Sequence, residues 1–145
     1  MRRVARSWST EQQRWPALLL VLGGLTAVAG ALSPWFTLYA GLRPLTGISG
    51  LFGQFVLAGG GLLVIGGSAY AYRGGRRLPA ALALLSMLLS TFCLWLVPRQ
   101  FAVREHLAAS AMLIPRLGPG LFIAVGGAIV ALLAAAWGWY LERRR

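Results

Sequence analysis

The stretch "LFGQFVLAGGGLLVIGGSAYAYRGGRRLPAALALLSMLLSTFCLWLV", residues 51–97, contains two long apolar runs separated by the basic segment "RGGRR", residues 73–77. A helix needs about 20 mainly apolar residues to cross a bilayer, and residues 51–72 and 78–97 both meet that length. Because so short a segment connects them, the two helices must form a hairpin with a cationic turn. The stretch therefore predicts two antiparallel membrane-spanning helices.

Two further apolar runs, residues 15–32 and 120–140, lie on either side of this hairpin, and none of the four runs contains Asp, Glu, Arg or His. We therefore expect a single all-α integral membrane domain over residues 1–145, built as a bundle of four transmembrane helices. The segment "AVAGALS", residues 27–33, has small residues that a signal peptidase could accept. We favour an uncleaved span, because a long segment precedes a long apolar run.

Composition and charge agree with a membrane protein. Hydrophobic residues make up 58% of the chain and charged residues 12%, and the net charge is +11. The arginines lie in blocks beside apolar runs, which indicates orientation in a membrane instead of nucleic-acid binding. Ten lie on one predicted side and four on the other, so the positive-inside rule places both termini in the cytoplasm. The four on the outer side, in loops 33–50 and 98–119, are Arg43, Arg99, Arg104 and Arg116.

Small residues at regular spacing predict close packing between helices. The second span repeats a glycine pair after seven residues, as Gly59 and Gly60 and then Gly66 and Gly67. The first span contains one stripe at four-residue spacing, formed by Gly23, Ala27 and Ala31. The fourth contains two, formed by Gly120, Ala124 and Ala128 and by Gly127, Ala131 and Ala135. These faces could pack within one bundle or dock a partner. A spare small face on the fourth span could dock another subunit, because two stripes exceed what one neighbour requires.

A weak internal repeat is also visible. "GLF" occurs at residues 50–52 and 120–122, and a glycine pair follows each within ten residues. Pro34 and Pro98 follow the first and third spans, where a proline can end a helix. The pattern fits two duplicated helical hairpins in parallel, and chance composition explains it nearly as well.

The second outer segment, "PRQFAVREHLAASAMLIPRLGPG" at residues 98–120, predicts a short helix that lies in the membrane interface or between the bundle and a partner. Arg104, Glu105 and His106 are consecutive, so on a helix they point about 100° apart and cannot form a catalytic triad. His106 could ligate a haem or a metal, but no second histidine exists to complete such a site. We expect no cofactor, no metal and no catalytic residue.

The first outer loop, "SPWFTLYAGLRPLTGISG" at residues 33–50, combines aromatic residues with turn residues. We expect β structure around residues 36–39, in a cap that rests on the bundle or offers a docking surface. Its "PW", followed by "TG" and "SG", resembles the loop of small four-span bacterial inner-membrane proteins, including the tryptophan-associated membrane proteins of actinobacteria. The resemblance covers the first half of the chain and implies a location in a prokaryotic membrane. The residues expected to interact at the outer face are Trp35, Phe36, Phe101, Arg104, Glu105 and His106.

The spans contain no ionisable residue of the kind that couples transport to ions. Their hydroxyl side chains include Thr26, Ser68, Ser86 and Ser90, which we expect to bond to the preceding turn of their own helix. We therefore expect a non-catalytic accessory, structural or assembly subunit of a larger inner-membrane complex, such as a respiratory or photosynthetic one. Its partners would be other membrane subunits and lipids. The alternative is a small protein that binds or moves a lipid or another apolar ligand between glycine-rich helices.

Overall fold

The computed structural model describes residues 2–38, 43–73, 77–108 and 116–144, and four long helices account for most of them. The helices are α1 (Arg2–Leu32), α2 (Leu51–Arg73), α3 (Leu78–Ala108) and α4 (Gly120–Arg143). All four are long and apolar enough to cross a membrane, over Arg14–Leu32, Leu51–Tyr72, Leu78–Leu107 and Gly120–Arg143. The prediction of four helices with the length and apolar composition of membrane spans is confirmed.

The helices form a four-membered bundle in which sequence neighbours are also neighbours in space. Helix α1 packs against α2 and α4, and α3 closes the bundle by packing against α4 and, least extensively, against α2. The most extensive interface joins α1 to α4. We call the end of the bundle near Arg73 and Arg77 the hairpin end, and the opposite end the sheet end.

A small antiparallel sheet covers the sheet end. Its strands are β1 (Pro34–Leu38), β2 (Arg43–Thr46) and β3 (Arg116–Leu117), and β1 lies in the middle. A 3₁₀ turn (Gly47–Ser49) leads from β2 into α2. The prediction of β structure is confirmed from residue 36 to residue 38, and residue 39 lies outside the described residues. Strand β3 joins the two outer segments and was not predicted, because two residues beside a proline and a glycine give no strand pattern.

Trp35 anchors this sheet to the bundle. The pairing of β1 with β2 is irregular between Pro34 and Phe36, so Trp35 occupies a bulge, a feature that redirects a side chain. Its indole is 4% exposed, and its Nε1–H donates a hydrogen bond to the carbonyl oxygen of Gly30 over 2.9 Å. Bonding the polar atom of a buried aromatic ring removes the cost of burying it.

Helix α3 is longer than the sequence indicated. Pro98 was expected to end the third span near residue 97, but the helix continues through it to Ala108. A proline removes one N–H donor and crowds the preceding turn, and its effect on a membrane helix is local when neighbouring turns supply the remaining bonds. Residues 99–108 therefore continue α3 and do not begin a separate helix. The rest of the predicted interfacial helix, residues 109–115, lies outside the described residues.

Candidate functional site

The interface between α1 and α4 brings two backbones together. A Cβ atom added to Gly127 would lie 2.5 Å from the backbone nitrogen of Ala27 and 2.7 Å from the carbonyl oxygen of Gly23. A Cβ atom on Gly23 would lie 2.6 Å from the backbone nitrogen of Ala131. Side chains of any size would hold the helices apart, so the small residues permit the contact.

The small stripe of α1 is not available to a partner protein. Gly23, Ala27 and Ala31 are all buried within the chain, and Ala31 has no exposed surface. Ala31 also differs from the other two in its surroundings, because it lies where α1 meets the sheet end. A Cβ atom added to Gly47, in the 3₁₀ turn, would lie 2.6 Å from the Ala31 carbonyl oxygen. Of the two alternatives for Ala31, this contact favours packing within the chain, since the chain's own turn covers that end of the stripe.

The glycine pairs of α2 serve two different neighbours. The first member of each pair faces α3: a Cβ atom on Gly59 would meet Leu89, and one on Gly66 would meet Leu82. The second member faces α1: Gly60 lies against the backbone of Gly24, and Gly67 lies against Leu20 and Val21. The seven-residue repeat therefore describes two glycine ridges, one for each neighbouring helix.

The small residues of α4 are also used for packing within the chain. Gly120, Gly127 and four alanines of the two stripes (Ala124, Ala128, Ala131 and Ala135) are all buried. Helix α3 meets α4 near Ala128, whose carbonyl oxygen accepts a hydrogen bond from the Ser90 hydroxyl over 2.9 Å. Both stripes lie against α1, since Gly30 meets Gly120 and Ala124 while Gly23 meets Gly127 and Ala131. Of the two alternatives, these contacts favour packing within the bundle over docking of a partner.

The six residues expected at the outer face do not form one site. Trp35 is buried in the bundle, which corrects its assignment to a docking surface, and Phe36 packs partly into the core. Arg104, Glu105 and His106 are exposed on α3, as is Phe101. Among the described residues, no ion pair joins these three polar side chains to any other, and no group of acidic, histidine or cysteine residues is arranged to hold a metal.

The structure instead reveals a groove between α2 and α3, the least closely packed pair of neighbouring helices. The groove has a volume of about 580 Å³, within the range of sites that hold small molecules. It is lined by Phe55, Gly59, Leu85, Leu88, Leu89, Thr91, Phe92 and Trp95. Thr91 and Trp95 supply the only polar side-chain atoms among these lining residues, so the groove suits an apolar occupant.

Aromatic rings lie at the sheet end of this groove, and one arginine stacks on them. We define the aromatic cluster as Phe52, Phe55, Phe92 and Trp95, whose neighbouring ring centroids lie 6.1 to 6.2 Å apart. On the side of this cluster nearer the sheet end, the guanidinium carbon of Arg99 lies 4.9 Å from the Trp95 ring centroid and 5.2 Å from the Phe52 ring centroid. Contacts of this length are cation–π interactions, which fix the position of the charge.

The groove is about as long as half the thickness of a bilayer's hydrocarbon core. From Leu85 to Trp95 the α3 axis rises by about 15 Å, which is half of the roughly 30 Å hydrocarbon core. Arg99 lies one further turn towards the sheet end, where a bilayer would place lipid headgroups. The length of the groove along α3 therefore matches the thickness of one leaflet.

Two other hollows differ from the groove in their chemistry or position. A hollow of about 280 Å³ at the sheet end has Phe52 in common with the aromatic cluster and includes the polar side chains of Thr46, Ser49 and Gln100. A second apolar hollow, of about 400 Å³, lies between α3 and α4 and includes Trp139 near the hairpin end. Beside this second hollow, two arginines of the C-terminal segment stack on single rings, Arg143 on Trp139 and Arg144 on Tyr140.

The sequence placed Arg99 among the outer charges, but its connection with Trp95 was not predicted. The available signal was their spacing: Phe92, Trp95 and Arg99 follow each other at three and four residues, which places them on one helix face. Phe52 and Phe55 repeat that spacing at the start of α2. The end predicted at residue 97 concealed the pattern, because it separated Arg99 from the helix that carries it.

No family model, curated protein or solved structure matches the chain. The resemblance of the first outer loop to small bacterial membrane proteins therefore stays a prediction.

Proposed function

We propose that this protein binds a lipid or another apolar molecule in the groove between α2 and α3, and that it catalyses no reaction. The observation that carries the proposal is an apolar groove with Arg99 fixed at its interfacial end. The small stripes of α1 and α4 are buried within the chain, so they do not support the competing hypothesis of a docked subunit.

We further propose a bacterial inner-membrane location with the hairpin end and both termini in the cytoplasm. The ten arginines of the N-terminal segment, the hairpin turn and the C-terminal segment support this orientation. The sheet end carries four arginines and would face outward. The groove would then open to the outer half of the bilayer.

The test is to fill the groove and measure bound lipid. Leu88 lines the groove and is 70% exposed, so a tryptophan there would occupy the groove without disturbing the core. Leu133, on the outer face of α4, is 65% exposed and is the matched control. We expect native mass spectrometry of the purified protein to show retained lipid in the wild type and in Leu133→Trp, and a loss of it in Leu88→Trp. Equal retention in all three proteins would exclude the groove as the binding site.

One observation favours the accessory-subunit hypothesis as a second candidate. Helix α3 has 31 residues and is about 46 Å long, so it exceeds the hydrocarbon core by about 16 Å. The last turns therefore extend beyond the membrane and expose Phe101 and Val103, each 40% accessible. Exposed apolar side chains outside the bilayer suit a protein partner.

This candidate is tested by native electrophoresis of membranes opened with a mild detergent. If the chain is a subunit, it migrates with a defined set of larger proteins, and replacing Phe101 and Val103 by serine releases it. Arg104→Ala, on the same helical extension, is the control and should leave the complex intact. Migration of the wild type at the mass of a monomer or a small homo-oligomer would exclude a stable complex.

A further inference from the structure

We infer that the occupant of the groove is an anionic phospholipid of the surrounding bilayer, with an acyl chain in the groove and its phosphate at Arg99. This inference rests on the proposed function and adds the chemical class of the ligand. It depends on three features of the described residues: the length of the groove, the charge at its rim and the polar hollow beyond that charge.

The length of the groove matches one leaflet. Its lining extends over about 15 Å of α3, which is the depth that the acyl chains of one leaflet fill. The groove is also open towards the lipid instead of being enclosed by the bundle, since Phe55, Leu88 and Trp95 are all exposed. A lipid can therefore enter sideways from the bilayer, without passing through water.

The charge at the rim favours an anion. Arg99 is exposed and forms no ion pair with a carboxylate among the described residues, so its charge is stabilised there by the faces of two neutral rings and is not neutralised. A guanidinium is planar and carries five N–H donors in an arrangement that matches the oxygens of a phosphate. The contacts with Phe52 and Trp95 hold this group in place before a ligand arrives, which reduces the entropy lost on binding.

The polar hollow at the sheet end completes the order expected for an amphiphile. From mid-membrane outward, the surface presents Leu85 and Leu89, then the aromatic cluster, then Arg99, and then the hollow lined by Thr46, Ser49 and Gln100. Acyl chain, interfacial ester region, phosphate and polar headgroup follow one another in the same order in a phospholipid. The hollow is thus placed to accept the headgroup atoms beyond the phosphate.

The experiment measures which lipid remains bound when the choice is free. The protein is placed in nanodiscs that contain equal amounts of phosphatidylglycerol and phosphatidylcholine with identical chains, and native mass spectrometry gives the ratio of the two bound lipids. We expect the wild type to retain phosphatidylglycerol in preference. Arg99→Gln should reduce that preference about five-fold, the effect of one basic residue near an anionic headgroup. Arg99→Lys keeps the charge but not the planar set of donors, so it should retain only part of the preference.

The control is Arg104→Gln, which removes an exposed arginine five residues further along the same helix and should leave the ratio unchanged. Equal effects of the two substitutions would overturn the inference, because they would show that any exposed arginine attracts anionic lipid to the same extent as Arg99. An unchanged ratio in Arg99→Gln, with lipid still lost in Leu88→Trp, would refute the anionic ligand, indicate a neutral occupant and leave the proposed function in place. Lipid retention that Leu88→Trp does not alter would refute the proposed function itself.

Discussion

Gly126 and Gly127 are adjacent on α4, yet their surroundings are opposite. Nothing lies within 4 Å of a Cβ atom added to Gly126, whereas the same atom on Gly127 would collide with the backbone of α1. The collision is with main-chain atoms, which cannot rotate away as a side chain can. Adding a single methyl group at Gly127 therefore tests the close contact between α1 and α4.

We predict that Gly127→Ala destabilises the protein by about 1 to 3 kcal/mol, the usual cost of an overpacked site. Gly126→Ala should leave the stability unchanged or raise it by up to about 1 kcal/mol, because alanine favours a helix more than glycine does. The measurement is the unfolding free energy in detergent, from a denaturant titration followed by circular dichroism. An equal loss in both variants would mean that α1 and α4 are not in contact at Gly127.

The hydroxyl side chains show how far single residues could be predicted. Thr26, Ser68 and Ser86 donate to the carbonyl oxygen four residues earlier, as expected for a hydroxyl in an apolar helix. Ser90 differs, since it donates to Ala128 on α4. The sequence places Ser86 and Ser90 on one face of α3 but does not show which of them meets an accessible carbonyl, because that depends on the depth at which two helices cross.

At the scale of the elements, this interhelical hydrogen bond should contribute to the docking of α3 on α4. We predict that Ser90→Ala lowers the unfolding free energy by about 0.6 kcal/mol, the average for such bonds in membrane proteins, with an upper limit near 1.7 kcal/mol. Ser86→Ala is the matched control, because Ser86 is also buried on α3 but bonds within its own helix. The same denaturant titration compares them, and a larger loss in Ser86→Ala would contradict the assignment.

The apolar parts of the helices could be predicted closely from the sequence. The length by which a helix extends beyond its apolar part could not. Hydropathy located the apolar runs because a bilayer requires a fixed length of apolar helix, so the ends of α2 and α4 agree with the expected spans. Outside the hydrocarbon that requirement disappears. Pro98 and the charged residues after it therefore led to a predicted end of the span at residue 97, but the helix continues to Ala108.

The sheet and the groove were the parts that local patterns did not predict. Strands β1 and β3 lie far apart in the sequence, yet Phe36 pairs with Leu117 and Thr37 pairs with Arg116. Two residues are too few to show the alternation of apolar and polar side chains that indicates a strand. Strand β3 is therefore visible only in the folded structure. The groove is a gap between two helices, and a gap has no sequence signal of its own beyond the spacing of the aromatic residues around it.

At the scale of the whole molecule, the orientation in the membrane can be measured directly. In a Cys93→Ala background, we predict that an impermeant maleimide labels Ser49→Cys on intact cells. The same reagent should label Arg144→Cys only after the cells are opened. Ser49 and Arg144 are both exposed, at the sheet end and the hairpin end respectively. Labelling in the reverse order would invert the proposed topology and move the groove to the inner leaflet.

The control for this measurement is the Cys93→Ala protein without an added cysteine, which should remain unlabelled under both conditions. Cys93 is the only cysteine of the chain, and it is buried. Its removal should therefore leave the outer surface unchanged.

The pairing of α1 with α4 has a consequence for biosynthesis. Helix α4, which packs on α1, lies about a hundred residues later in the chain. The small stripe of α1 therefore has no partner until the last span has been synthesised and released. At typical elongation rates of about 5 to 20 residues per second, this interval lasts several seconds. During that time α2 is the neighbour that can hold α1 in the bilayer. Ribosome-bound chains halted before and after α4 emerges would separate a half-assembled intermediate from the completed fold.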